Sequence, residues 1–315
     1  MSIAPYLKVI GRGKDGARPL SAAQAEDLLS QVLDRTVTDL EIGAFCLAMR
    51  IKGESVEELE GFMAATHARC LRLPQPGGGV VLLPSYNGAR KLPNLTALLA
   101  LELSRQGMAV LVHGPLRDPT RVTTAQVMGA LGHVPCSDAE EVSQRWAEGR
   151  PAFMAIETLC PALARLLDVR WTVGLRNPGH TVAKLLNPLE GVGTSRSFRV
   201  VNHTHPEYAV SLTAYLEHSR ADALLMRGTE GEPVADPRRQ PRFNVFVDGT
   251  RDDGLSHTAL DGVLGSLPEL PNGFDADTTA AHIVRVQGGE LPMPPAISAQ
   301  VSCLKQALRA ARSGN

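Results

Sequence analysis

The segment Leu83-Pro84-Ser85-Tyr86-Asn87-Gly88-Ala89-Arg90-Lys91-Leu92-Pro93-Asn94-Leu95-Thr96 carries the residues best placed for chemistry. It lies between the apolar run Val80–Leu83 and an apolar helical stretch, where an α/β enzyme keeps its phosphate-binding turn. Glycines in such a turn let backbone amides approach an anion closely. Here only Gly88 is left, and an Arg90-Lys91 pair follows it. Ser85, Asn87, Asn94 and Thr96 still supply donors near a helix start, so a residual phosphate or sugar site is open. A tight turn at Asn87-Gly88 and a helix cap at Asn94 account for the same residues without a ligand.

Other candidates are thinner. His113 has the chemistry of a general base, but no carboxylate partner shows in the sequence, and a packed structural histidine fits equally. Arg117 and Arg121 add positive charge after it, and Arg121 is placed with the residual phosphate site. His203-Thr204-His205 resembles half a metal site without a third ligand at suitable spacing. Gly11-Arg12-Gly13-Lys14 lacks the spacing and preceding strand of a P-loop. The five cysteines are widely spaced with no CxxC, which favours neither a disulfide framework nor zinc and fits a reducing cytoplasm. No residue is assigned a catalytic role and no metal ligand set is assigned.

Elements of two kinds must hold these groups. Ser21–Gln24, Thr38–Glu41 and Ser55–Glu58 are capping boxes, each ahead of apolar residues at helical spacing. They predict three helices over the first 70 residues or so. Pro74-Gln75-Pro76-Gly77-Gly78-Gly79 then breaks the pattern. Short apolar strands are expected at 80–83, 108–112, 152–156, 198–201, 223–226 and 244–247. Helices are expected at 94–106, 122–132, 138–148, 160–188 with a break near Asn177-Pro178-Gly179, from Pro206 to about 219, and 295–312. Strands alternating with helices predict a largely parallel sheet covered on its faces. The loop from Gly228 to Arg242, rich in glycine, proline and charge, is expected to be exposed.

The whole chain has 315 residues, 43% of them hydrophobic, and a net charge of −1, enough for two domains and a large core. No run approaches the ~20 apolar residues of a membrane span, and Met1-Ser2-Ile3-Ala4-Pro5 carries no basic-then-apolar signal pattern. The near-neutral total hides a gradient. Residues 26–60 are strongly acidic, whereas Arg170, Arg176, Lys184, Arg196 and Arg199 face only Glu190. Local sign asymmetry matters more to a polyanion than net charge does.

Several motifs taken together resemble the anthranilate phosphoribosyltransferase family (glycosyltransferase family 3), and more closely its YbiB-like group. They are Ile10–Lys14 with Ala17-Arg18, Arg50–Glu54, Tyr86–Lys91, His113-Gly114 with Asp118–Arg121, His180–Leu185 and Arg227–Pro233. The resemblance implies a nucleoside-phosphorylase/phosphoribosyltransferase-like α/β fold. It implies a helical domain of residues 1–75 with 160–190 packing on it, an α/β domain of 76–159 and 191–315 with a mostly parallel central sheet, and a homodimer joined through the helical domains. The enzymes of the family have a Gly-Thr-Gly-Gly-Asp turn where Pro84–Gly88 stands here. They hold magnesium with an Asp-Glu pair at the positions of Pro233 and Val234. The Arg of their Gly-Ile-Arg segment, which meets the substrate carboxylate, corresponds to Arg176.

The YbiB-like group is regarded as binding nucleic acid without the parent activity. What the resemblance implies is therefore a largely sequence-nonspecific binder of DNA or RNA phosphates, without a cofactor, using Arg90, Lys91, Arg176, Lys184, Arg196 and Arg199. The alternative is a phosphoribosyltransferase using phosphoribosyl pyrophosphate and magnesium on an unknown aromatic acceptor. Its sugar-phosphate site would be Ser85, Asn87, Asn94, Thr96, His113 and Arg121.

Overall fold

The computed structural model describes residues 2–189, 197–239, 241–258 and 262–313. The chain divides into two compact units, Met1–Leu71 with Leu159–Pro188, and Arg72–Thr158 with Leu189–Asn315. Helices α1 (Ala4–Ile10), α2 (Gly13–Gly16), α3 (Ala22–Leu33), α4 (Asp39–Lys52) and α5 (Val56–His67) open the first unit. In the second unit come β1 (Val80–Pro84), α6 (Thr96–Arg105), β2 (Ala109–Gly114), α7 (Thr124–Ala130), α8 (Ala139–Ala147) and β3 (Ala152–Ala155). The short α9 (Ile156–Leu159) leads back to the first unit and to α10 (Pro161–Val173) and α11 (Gly179–Leu185). The second unit resumes with β4 (Ser197–His203), α12 (Pro206–His218), β5 (Ala223–Arg227), β6 (Phe243–Val247), β7 (Thr250–His257), α13 (Ala276–Gln287) and α14 (Pro295–Ser313).

In the helical unit the three predicted capping boxes all form, at the starts of α3, α4 and α5. The α5 box does more than cap. Glu58 is fully buried, accepts from the Leu20 and Ser55 amides, and receives the Lys52 ammonium at 2.5 Å. Four partners in total, with the Ser55 hydroxyl, offset the cost of sinking that carboxylate. A Cβ on Gly61 of α5 would stand 2.2 Å from the Ala22 carbonyl, so only glycine lets α3 and α5 pack this closely. Phe45 and Phe62 meet edge to face in the resulting core. At the end of α10, Gly174 takes the left-handed conformation (φ 76°) and stops the helix. Asn177 then sends its Nδ2 back to the Leu166 carbonyl at 2.7 Å. That tie is the physical content of the predicted break.

In the larger unit seven strands form one sheet in the order β3-β2-β1-β4-β5-β6-β7. Neighbours from β3 to β5 are parallel, and β5–β6 and β6–β7 are antiparallel. The central strands are apolar runs because they are buried on both faces. Leu98, Leu103, Val127, Phe198, Ile283 and Leu304 belong to one continuous core.

Some elements differ from expectation. The exposed and polar β7 gives no apolar alternation, because it is an edge strand that pairs with β6 alone. The sequence around α13 carries β-branched residues that weaken helix propensity, and packing against α7 decides the outcome. The first part of the Gly228–Arg242 loop is not exposed: Thr229, Glu232, Val234 and Ala235 are buried. Its charges and glycines suggested solvent; one of those charges is instead an internal ligand.

Candidate functional site

The sheet order reverses at β1, which lies between β2 and β4. In open α/β sheets ligands bind outside the carboxyl ends of the strands at such a reversal. Here that place is the turn after Pro84, and it is filled by a side chain of the chain itself. Glu232 is 1% exposed. Its Oε1 accepts from the Asn87 and Gly88 amides, both at 2.8 Å. Its Oε2 accepts from the Ser85 hydroxyl, from Thr124 Oγ1 at 3.2 Å and, more loosely, from Thr96 Oγ1 at 3.5 Å. Two backbone amides and a set of hydroxyls around a bound negative charge make an anion cradle.

Each donor is fixed by a different element. Ser85, Asn87 and Gly88 lie on the loop leaving β1, Thr96 opens α6, and Thr124 is the first residue of α7. A capping box, Thr123 with Gln126, starts α7. Asn94 ties the two helix starts together, giving its Nδ2 to Thr124 Oγ1 at 3.0 Å and accepting from the Thr96 amide at 3.2 Å. The loop bearing Glu232 is pinned in turn. Glu230 accepts from the Arg90 and Lys91 amides at 2.6 and 3.2 Å, and its carbonyl accepts from Asn87 Nδ2 at 2.7 Å. Gly231 between them has φ +87°, and a Cβ there would overlap Asn87 Nδ2 at 1.8 Å. Glycine is required both for the turn and for the approach.

The residues of the predicted sugar-phosphate site therefore come together around Glu232, apart from two. Arg121 joins only through its Nη1, which donates to the Gly88 carbonyl at 3.2 Å. His113 is fully buried, and its Nδ1 shares a 2.7 Å hydrogen bond with the Tyr86 hydroxyl, a partner that replaces the missing carboxylate. Sequence reasoning missed Glu232 as the occupant and Thr124 as a donor. The signals were present in the acidic Glu230-Gly231-Glu232 triplet and in the Thr123–Gln126 box. Among the described residues no group of three His, Cys, Asp or Glu is arranged to hold a metal ion, and no helix is long and apolar enough to cross a membrane.

The predicted cations fall on separate units. Arg90 and Lys91, exposed, belong to the larger one. Arg199 belongs there too, but it is 5% exposed in β4, paired between Leu82 of β1 and Ala223 of β5. That burial corrects its assignment as a surface base. Arg196 lies outside the described residues. Arg176 and Lys184 belong to the helical unit, where both are half-buried around α11. There they surround His180. Its imidazole is held down to about 3, first by burial, then by the Arg176 and Arg170 charges, with Lys184 adding to them. Arg170 stacks over Trp171 at 4.1 Å, and Trp171 is 46% exposed. This face thus combines concentrated positive charge with an exposed aromatic ring.

Comparison with known proteins places these observations. Residues 4–70 match the family described as glycosyl transferase family, helical bundle domain. The chain is 37% identical over 306 residues to the uncharacterized protein YbiB of Escherichia coli (strain K12), covering 96% of this chain and 93% of that one. It is 28% identical over 270 residues to the anthranilate phosphoribosyltransferase of Methylorubrum extorquens (strain PA1), covering 84% and 78%. Among solved structures, anthranilate phosphoribosyltransferase from Thermus thermophilus superposes with a TM-score of 0.74 at 20% identity, over 99% of this chain and 94% of that one. The Saccharomyces cerevisiae enzyme in complex with PRPP and Mg gives 0.70 at 12% identity, over 98% and 89%.

Removing the internal anion leaves at least two amides and two hydroxyls unsatisfied in a buried place. The Glu232→Ala variant is expected to lose at least about 2 kcal/mol in urea denaturation. Added inorganic phosphate should restore part of that loss by entering the cradle. Parental stability that ignores phosphate would show that the carboxylate holds nothing together.

His180 generates a pH prediction. Its ring is depressed from 6.5 to about 3, so between those values the unfolded chain binds the proton that the folded one refuses. Its contribution to stability is complete above the unfolded value and drains away as pH falls toward the folded one, at no more than about 1.4 kcal/mol per pH unit. Urea midpoints of His180→Gln across this range should depend less on pH than those of the parent. Identical slopes would contradict the assignment.

Proposed function

We propose that this chain, which belongs to the YbiB-like group of the anthranilate phosphoribosyltransferase family, binds DNA or RNA through phosphate contacts and has given up phosphoribosyl transfer. The single observation carrying this is the Glu232 carboxylate in the cradle at the end of β1. A phosphate approaching that cradle meets a fixed negative charge and finds its hydrogen-bond donors taken. The magnesium that the parent reaction uses does not fit the side chains present. Pro233 and Val234, at the metal-binding positions, offer no side-chain oxygen. Glu230 and Glu232 spend their carboxylates on backbone amides and hydroxyls.

Binding of a polyanion draws its support from the helical unit, where Arg170, Arg176 and Lys184 together make protonation of His180 unfavourable. Lysine and arginine on phosphates release counterions and give salt-sensitive affinity with little sequence preference. Exposed Trp171 supplies a ring on which an unpaired base can stack. Arg90 and Lys91 are further exposed contacts on the larger unit.

A homodimer through the helical unit is part of the proposal. Leu40, Leu47 and Ile51 are 84%, 46% and 60% exposed, and with Ala44 they form one stripe along α4 at helical spacing. A two-fold dimer presents every base twice. Phosphoribosyl transfer is the second reading. It is favoured by the completeness of the cradle's donor set, and it requires Glu232 to leave.

Gel shifts with a single-stranded oligonucleotide at two salt concentrations test the main reading. The logarithm of affinity should fall linearly with that of salt, and Arg176→Ala/Lys184→Ala should lower the slope by about 2. No shift at low salt would refute nucleic-acid binding. Release of pyrophosphate from PRPP with magnesium and any aromatic acceptor would decide for the second reading.

Light scattering is expected to give twice the chain mass, and Leu47→Glu/Ile51→Glu should halve it. A monomeric parent would remove the dimer.

A further inference from the structure

The larger unit contains a second place suited to an anion, and this one is open. A cavity of about 750 Å³ lies at the ends of β4 and β5, beside the turn that carries Arg90 and Lys91. Its walls hold five cationic side chains, Lys91, Arg227, Arg238, Arg239 and Arg242, against the carboxylates Glu230 and Asp236. Both carboxylates are already engaged. Glu230 holds the Arg90 and Lys91 amides, and Asp236 is bound by Arg238 at 2.8 Å and Arg239 at 3.6 Å. Lys91, Arg227 and Arg242 are left, and among the described residues no ion pair forms with any of them.

The sheet register sharpens the point. The last rung joining the antiparallel β5 and β6 is Met226 with Phe243. One residue beyond it, Arg227 and Arg242 stand opposite each other, and both line the cavity. Opposed residues of an antiparallel pair point to the same side, and like charges so placed repel. Two guanidiniums held together over a cavity are what a phosphate with several negative oxygens relieves, because each fork donates two hydrogen bonds to it. The rest of the wall is different in kind. Leu92, Pro206, Ala209 and Pro241 give it an apolar side. The volume is that of a small-molecule site, and a polymer backbone does not need such a recess.

We propose that this cavity binds a phosphate monoester carrying a flat apolar ring, a mononucleotide being the simplest. The phosphate sits between Arg227 and Arg242 with Lys91 beside it, and the ring lies against Leu92 and Pro206. The site is distinct from the cradle that Glu232 fills, and it does not rest on the nucleic-acid reading.

Isothermal titration of the full chain with AMP, and with adenosine as the uncharged counterpart, tests it. AMP should bind at about millimolar concentration or tighter, and adenosine at least about tenfold more weakly. Arg227→Gln/Arg242→Gln should weaken AMP by about tenfold or more while its melting temperature stays level or rises, since a repulsion has been removed. No heat with AMP overturns the proposal, as does AMP binding that the double variant leaves unchanged. An oligonucleotide without a terminal phosphate, tested on both proteins, reports on the polyanion reading alone. AMP bound while the oligonucleotide is not keeps the cavity and refutes that reading. An oligonucleotide lost from the double variant, with no AMP response in the parent, refutes the cavity as a small-molecule site.

Discussion

A carboxylate taken out of water must be matched by donors, and in this protein that requirement organises the end of the sheet. Glu232 draws the loop after β1, the first residue of α6 and the first residue of α7 onto one point. None of these donors is reached by the others' backbones, so a single buried charge sets their mutual spacing. The negative charge also sits at helix starts, where the peptide dipoles favour it. Glu230 repeats the device one turn outward with the amides of Arg90 and Lys91. The two acids close the Gly228–Val234 segment over a turn that open α/β folds ordinarily leave accessible.

An inherited anion site can therefore keep its donors while changing its occupant. The hydroxyls and amides that suit a phosphate suit a carboxylate nearly as well, since both are oxygen anions asking for short charge-assisted hydrogen bonds. What separates a binding site from a structural one is whether the anion comes from outside or from a distant loop of the same chain. Positive charge is concentrated elsewhere, around His180 in the helical unit and around Arg227 and Arg242 in the larger one. Neither place depends on the filled cradle.

Much of the fold was legible because it is written in local chemistry. The three capping boxes, the apolar runs of β1 and β4 and the break at Asn177-Pro178-Gly179 each announce an element through neighbours in sequence. The cradle residues Ser85, Asn87, Asn94 and Thr96 were legible for the same reason. The occupant was not. Glu232 is far from them along the chain, and its role depends on Gly231 allowing a close approach that no local pattern encodes. Arg199 failed in the opposite direction: an arginine in an apolar run reads as a surface charge, yet the sheet continues on both sides of it. The edge strand β7 escaped because its residues face water and carry no alternation.

The helical unit is assembled from two stretches of chain separated by the first half of the larger one. Helix α10 packs on α3, and α11 packs on α5. On a ribosome the first five helices emerge long before those covers exist. At about 5–20 residues per second the wait is roughly ten seconds. During that interval the apolar faces meant for Leu163, Leu166 and Val182 are bare, while β1 to β3 are already being made. The amino-terminal helices are thus the part of the newborn protein most in need of chaperones, although they are the first to be synthesised.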